Sequence, residues 1–107
     1  MVESSTSLDK IFGALADVTR RDILKRVSGA EHTISELAEP YAMSLAAIAK
    51  HVSVLEKAGL IIKRRSGKEK VIQIQPKTIE VAAAYLSEYE KVWNARFNAL
   101  EKLLEEQ

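Results

Sequence analysis

The sequence predicts a mainly α-helical domain with a small β-hairpin, about five helices plus a two-stranded ribbon. Three observations carry this. Apolar residues recur at helical spacing in five separate stretches. Capping and breaking residues (Asp17, Ser28-Gly29, Thr33, Pro40, Ser44, Gly59 and Pro76) fall between those stretches. One stretch, residues 60–75, instead alternates apolar and polar side chains around Ser66-Gly67, as half-buried strands do. The length of 107 residues suits a single domain spanning 1–107.

Each element follows from its residues. Leu8, Ile11, Phe12 and Leu15 share one face of a first helix over about residues 7–16, and the residues before Ser7 read as a loose tail. Asp17 is placed to cap a second helix that buries Ile23, Leu24 and Val27 and stops at Ser28-Gly29. Thr33-Ile34-Ser35-Glu36 fits a capping box, in which Thr33 and Glu36 each satisfy the other's backbone N–H. It opens a short helix with Ile34, Leu37 and Ala38 inward. Pro40 ends that helix, because it lacks an N–H and restrains Glu39. Tyr41-Ala42-Met43 form a turn, and Ser44 caps a longer helix reaching Ala58, with Ile48, Val52 and Leu55 as its buried stripe. Strands Leu60–Arg65 and Lys70–Gln75 make the hairpin. A long last helix follows Pro76, with apolar positions Ile79, Ala82, Ala83, Leu86, Tyr89, Trp93, Phe97, Leu100, Leu103 and Leu104.

Composition removes several functional classes. The chain has no cysteine, so disulfides, thiolate metal sites and cysteine nucleophiles are absent together. No stretch is apolar for long enough to cross a bilayer, and no signal-peptide pattern opens the chain, so a soluble, cytoplasmic protein without membrane contact is expected. The formal net charge of +1 hides an uneven spread. Residues 1–43 carry five Lys/Arg against seven Asp/Glu, residues 44–75 seven against two, and residues 76–107 four against six. A basic middle between acidic flanks points to one face meeting a polyanion.

Helix, helix, short helix, turn, longer helix, basic hairpin, helix is the winged helix-turn-helix plan. A helix fits the DNA major groove and reads base edges with its N-terminal residues, while a short preceding helix braces it. A hairpin tip with Arg64, Arg65, Lys68 and Lys70 suits a phosphate backbone or a minor groove. The basic segment coincides with these two elements.

The residues also carry a family resemblance. LADVTRRDIL at 15–24, ISELAEPYAMSLAAIAKHVSVLEKAGLI at 34–61 and RRSGKEK at 64–70 resemble the ArsR/SmtB family of winged-helix repressors. The tail YEKVWNARFNALEKLLEE at 89–106 resembles the branch with an aromatic final helix and no metal-binding cysteines. The resemblance implies a homodimer that represses its own operon from an inverted-repeat operator in double-stranded DNA, released by an unidentified small-molecule or protein effector. It places Ser44, Leu45, Ala46, Ala49, Lys50 and His51 in the recognition helix. Many relatives carry Gln or Ser where this chain has Leu45, Ala46 and Ala49. Contact of Leu45 and Ala46 with thymine methyl groups is therefore expected, with the remaining specificity on Ser44, Lys50, the wing and DNA shape. His51 reads either as a residue packed beside Val52 and Leu55 or as a base reader.

The stripe Leu86, Tyr89, Trp93, Phe97, Leu100 and Leu104 is too long for so small a domain to cover alone, which points to a dimer interface, with Leu8 and Phe12 beside it. Trp93 serves equally as a core aromatic, an interface anchor or, with Phe97, the lining of an effector pocket. Two other readings compete. Exposed Leu45 and Ala46 would suit a winged helix used for protein assembly. A metal-responsive repressor would need ligands that this chain supplies poorly, with two histidines, His32 and His51, and only carboxylates on the final helix. No metal, no cofactor and no catalysis is expected: there is no nucleophile elbow and no Gly-rich phosphate loop.

Overall fold

The computed structural model describes residues 2–106, with side chains from Ser7 onward. The elements run α1 (Val2–Leu15), α2 (Val18–Gly29), β1 (His32–Thr33), α3 (Ile34–Ala38), α4 (Leu45–Lys57), β2 (Ile61–Ser66), β3 (Glu69–Ile74) and α5 (Pro76–Glu105). Five helices and the wing match the expected order. Residues 2–6, expected as a tail, are instead the first turns of α1. The sequence Val-Glu-Ser-Ser-Thr carries no apolar period, but the helical backbone bonds that form there need none.

The caps are as the sequence implies. Asp17 accepts from the Arg20 N–H, and Ser44 Oγ accepts from the Ala47 N–H at 3.1 Å. The capping box closes in both directions: Glu36 Oε1 accepts from the Thr33 N–H at 2.9 Å and Thr33 Oγ1 accepts from the Glu36 N–H at 3.2 Å. These bonds hold both the Asp17 and the Glu36 carboxyls below their ordinary pKa, the backbone N–H of Arg20 and of Thr33 being the respective leading causes. A carboxylate whose pKa is depressed on folding stabilises above its unfolded pKa, and that help is lost as pH falls through the folded value.

The sheet has three strands in the order β1-β3-β2, all antiparallel, rather than the two of a bare hairpin. Thr33 pairs with Val71 and His32 with Ile72. A two-residue strand shows no alternation, and Thr33 already serves as a helix cap, so the sequence carries no strand signal there. β2 and β3 pair from Ile61↔Ile74 to Ser66↔Glu69. The turn is therefore Gly67-Lys68, one residue later than the Ser66-Gly67 expected. Gly67, at φ 64, supplies the positive φ that the first position of a tight hairpin turn demands.

Ile11, Ile23, Leu37, Ile48, Val52, Leu55, Leu60, Ile61 and Ile72 are fully buried and join α1–α4 to the sheet in one core. Of α5, only Ala82 is buried within this core, with Ile79 packed against it. The rest projects away. The Cα radius of gyration is 18.4 Å, well above the roughly 13 Å of a compact chain of about 100 residues.

Gly59 turns the chain from α4 into β2 at φ 78, and a Cβ there would sit 3.3 Å from Thr78 Oγ1. Because only glycine adopts this backbone freely, Gly59→Ala is expected to cost about 1–2 kcal/mol. Urea denaturation of both chains at matched concentration measures it; an unchanged midpoint would contradict the expectation.

Candidate nucleic-acid interface

Among the cationic side chains, two groups stand apart by what they touch. The last carbonyls of a helix have no intrahelical partner, and three arginines supply one. Arg20 donates from Nε to the Ala14 carbonyl at 2.7 Å, and from Nη2 to the Gly13 carbonyl at 3.3 Å. Arg21 donates to the Leu15 carbonyl at 2.8 Å. Together they close the C-terminus of α1. Arg26 does the same for α3, reaching the Leu37 carbonyl at 2.8 Å and that of Glu36 at 2.9 Å, with its guanidinium 5.8 Å from the centre of the Tyr41 ring. Lys63 is tied to Glu56 of α4 at 3.4 Å.

Lys50, Arg64, Arg65, Lys68 and Lys70 form the second group. All are exposed, and none pairs with a carboxylate among the described residues. Arg65 and Lys70 are direct cross-strand partners. Like charges directly opposite destabilise a ribbon, and a phosphate between them would turn that repulsion into attraction. The wing is thus unfavourable by itself and complementary to a polyanion.

The N-terminus of α4 lies open. Leu45 is 54% exposed and Met43 39%. Ser44, Ala46 and Lys50 are exposed and Ala49 half-buried. Ser44 Oγ is already occupied as a cap acceptor, which leaves its O–H proton free to donate. This apolar tip with one hydroxyl and one ammonium fits thymine methyls and phosphate better than a dense set of base-edge hydrogen bonds.

His51 is held by polar partners, not by the apolar stripe. Its Nδ1 lies 3.4 Å from Arg20 Nη1 and 4.0 Å from Asp17 Oδ1. The side chain therefore joins α4 to the α1–α2 junction. Asp17, read from the sequence only as a cap, and Arg20, not singled out there, emerge as the residues that hold α4 through His51. The signal was present: an arginine five or six residues beyond the end of one helix can fold back on its carbonyls.

Along α5 the stripe is exposed throughout this single chain. Leu86, Tyr89 and Trp93 are each 53% exposed, and Phe97, Leu100 and Leu104 more than half. Val81, Tyr85 and Val92, not singled out from sequence, widen the same apolar surface. Phe12 packs on Tyr85 at 5.8 Å between ring centres, Tyr85 meets Tyr89 edge-on at 5.3 Å, and Trp93 stacks on Phe97 at 5.9 Å. Leu8 and Phe12 are half-buried beside them. Trp93 is accordingly no core residue of the single chain. No described helix is long and apolar enough to cross a membrane.

Known proteins share this arrangement. A family model described as a helix-turn-helix domain matches residues 15–64, which hold α2, α3, α4 and the start of the wing. The HTH-type transcriptional regulator Rv2034 of Mycobacterium tuberculosis is 30% identical over 99 residues, 92% of this chain and 90% of that protein. The transcriptional repressor SdpR of Bacillus subtilis is 33% identical over 60 residues, 56% of this chain and 67% of its own length. The crystal structure of an ArsR family transcriptional regulator, RHA00566, superposes with a TM-score of 0.77 at 37% identity, covering 84% of this chain and 93% of that one. With likeness of sequence and fold along nearly its whole length, the chain belongs to the ArsR family of helix-turn-helix transcriptional regulators.

Proposed function

We propose that the protein is a homodimeric repressor that binds an inverted-repeat operator in double-stranded DNA near its own gene. Residues 1–107 act as one winged helix-turn-helix unit in the cytoplasm, with no catalytic step. Ser44, Leu45, Ala46, Ala49 and Lys50 enter the major groove from the N-terminus of α4. Arg64, Arg65, Lys68 and Lys70 follow the phosphate backbone. His51 contributes by positioning α4. The α5 stripe from Leu86 to Leu104, flanked by Leu8 and Phe12, pairs with its symmetry mate. The similarity to a named repressor supports the regulatory sense.

The observation that carries this reading is the division of the cations. Arg20, Arg21 and Arg26 of α2 are consumed by helix carbonyls, while Lys50 of α4 and Arg64, Arg65, Lys68 and Lys70 of the wing are exposed, pair with no carboxylate among the described residues and, at Arg65 and Lys70, oppose each other across a ladder. If they contact phosphates, each releases counterions. Arg65→Ala should then weaken binding to every DNA sequence, and flatten the plot of log affinity against log salt by about one unit. Lys50→Ala should in addition change sequence preference. Gel shifts on the DNA upstream of its gene, repeated across a salt series, measure both. An Arg65→Ala protein with unchanged affinity and slope would remove the wing from the interface.

A further inference from the structure

A cavity of about 740 Å³ lies where α1, the end of α4 and the start of α5 meet, away from both the recognition helix tip and the wing. Its volume falls within the roughly 300–1,000 Å³ typical of small-ligand sites. Leu8, Ile11, Val81 and Tyr85 give it an apolar wall. Lys10, Lys57 and Lys77, one from each helix, line it too, with the hydroxyls of Ser7 and Thr78. No acidic residue is among the lining side chains. None of the three lysines pairs with a carboxylate among the described residues. The first turn of α5 adds free backbone N–H groups, because Gln75 makes no side-chain cap bond there.

Three ammonium groups from three different helices around one concavity repel one another, and no described residue pairs with them. Lys57 has an ordinary explanation in the C-terminal dipole of α4. Lys10 and Lys77 have none of that kind. The pairing of such a rim with an apolar wall matches one class of small molecule. The geometry points to this cavity as the binding site for an organic acid with an apolar body, its carboxylate among Lys10, Lys57 and Lys77 and its body against Leu8, Ile11, Val81 and Tyr85. As an effector site it rests on the regulator reading above. An occupant would sit on Leu8, Val81 and Tyr85 at the border of the proposed dimer face, where it competes with or is covered by the symmetry mate, and on the far end of the recognition helix at Lys57, Ala58 and Gly59. It would therefore alter how two recognition helices are spaced.

The test separates binding from regulation. Sodium decanoate and sodium 2-naphthoate are titrated calorimetrically into the full chain, with decanamide and 2-naphthamide as uncharged controls and inorganic phosphate as a headgroup control. At least one acid should bind saturably, one molecule per chain. Its amide and phosphate should each bind at least about tenfold more weakly, the loss expected for one charge-assisted contact. Lys10→Gln/Lys77→Gln should lose about the same factor while keeping the unfolding midpoint of the parent. Equal binding of acid and amide, an unaffected double variant, or no saturable binding of either acid would each overturn the assignment. A gel shift of the double variant without any acid reads DNA binding by itself, so failure of the cavity and failure of the regulator reading give different results.

Discussion

Replacing both Trp93 and Phe97 with alanine should dissociate the protein to a folded monomer and abolish DNA binding at concentrations where the parent binds fully. The size of the effect follows from burial. Each ring is more than half exposed in the single chain, so in the proposed dimer its burial would come from the partner. Truncating a buried aromatic costs about 3–5 kcal/mol, and about 1.4 kcal/mol is a tenfold change in an equilibrium constant. Each substitution should therefore weaken association at least a hundredfold by this order-of-magnitude reckoning, and symmetry presents each twice. The monomer should keep its fold because the core ends on α5 at Ala82. Sedimentation velocity and far-UV circular dichroism test both halves. A stable dimer of the double variant would place the interface elsewhere. A monomer without helical signal would show that the α5 stripe supports the domain itself.

Arg20→Ala should produce the largest loss of stability from any exposed or half-buried polar residue. The Arg20 side chain is 18% exposed and holds two carbonyls at the end of α1, the Asp17 carboxylate and the His51 ring. Hydrogen bonds to a charged group are each worth about 1.5–3 kcal/mol, and the Ala14 carbonyl loses this partner, while that of Gly13 keeps the Ala16 N–H. Water can still reach part of the site, so a total of about 2–3 kcal/mol is the expected cost. Arg20→Lys should recover little of it, since an ammonium cannot span both carbonyls and the imidazole in a fixed plane. Urea denaturation at fixed protein concentration measures the loss. A change under about 0.5 kcal/mol, the range of an ordinary surface substitution, would show that the junction does not hold α4.

The sequence made legible those features that depend on local rules. Asp17, Thr33 with Glu36, Ser44, Pro40 and Pro76 mark helix ends by chemistry that acts within three residues, and each sits where that chemistry places it. The buried stripe of α4 followed from its period. Features built from distant residues stayed hidden. β1 exists because residues 32 and 33 meet 71 and 72, and nothing local announces it. The wing tip moved by one residue because either side of Gly67 can close the turn, and ladder register settles which. The roles of Arg20, Arg21 and Arg26 stayed hidden because spacing shows which face a side chain leaves, not which helix end it folds back upon. The same holds for the lysine-lined cavity, whose walls come from residues 7–11, 57–59 and 77–85.

The candidate interface was legible in kind, less so in detail. Charge segregation marked residues 44–75 as the polyanion-facing third, and the fold keeps Lys50, Arg64, Arg65, Lys68 and Lys70 exposed and without a carboxylate partner among the described residues. The role of His51 needed the fold, because Asp17 and Arg20 approach it from another helix. The breadth of the α5 surface was underestimated at Val81, Tyr85 and Val92, which lie beside the strict stripe and widen it only in three dimensions.

The central claim is that two copies place their α4 N-termini in successive major grooves of one operator. Footprinting of the purified protein on the DNA upstream of its gene tests this most directly. The expected result is protection of an inverted repeat whose half-site centres lie one helical turn apart, about 34–36 Å, with both halves protected together at every concentration. Protection of a single uninterrupted half-site by a monomer would contradict it.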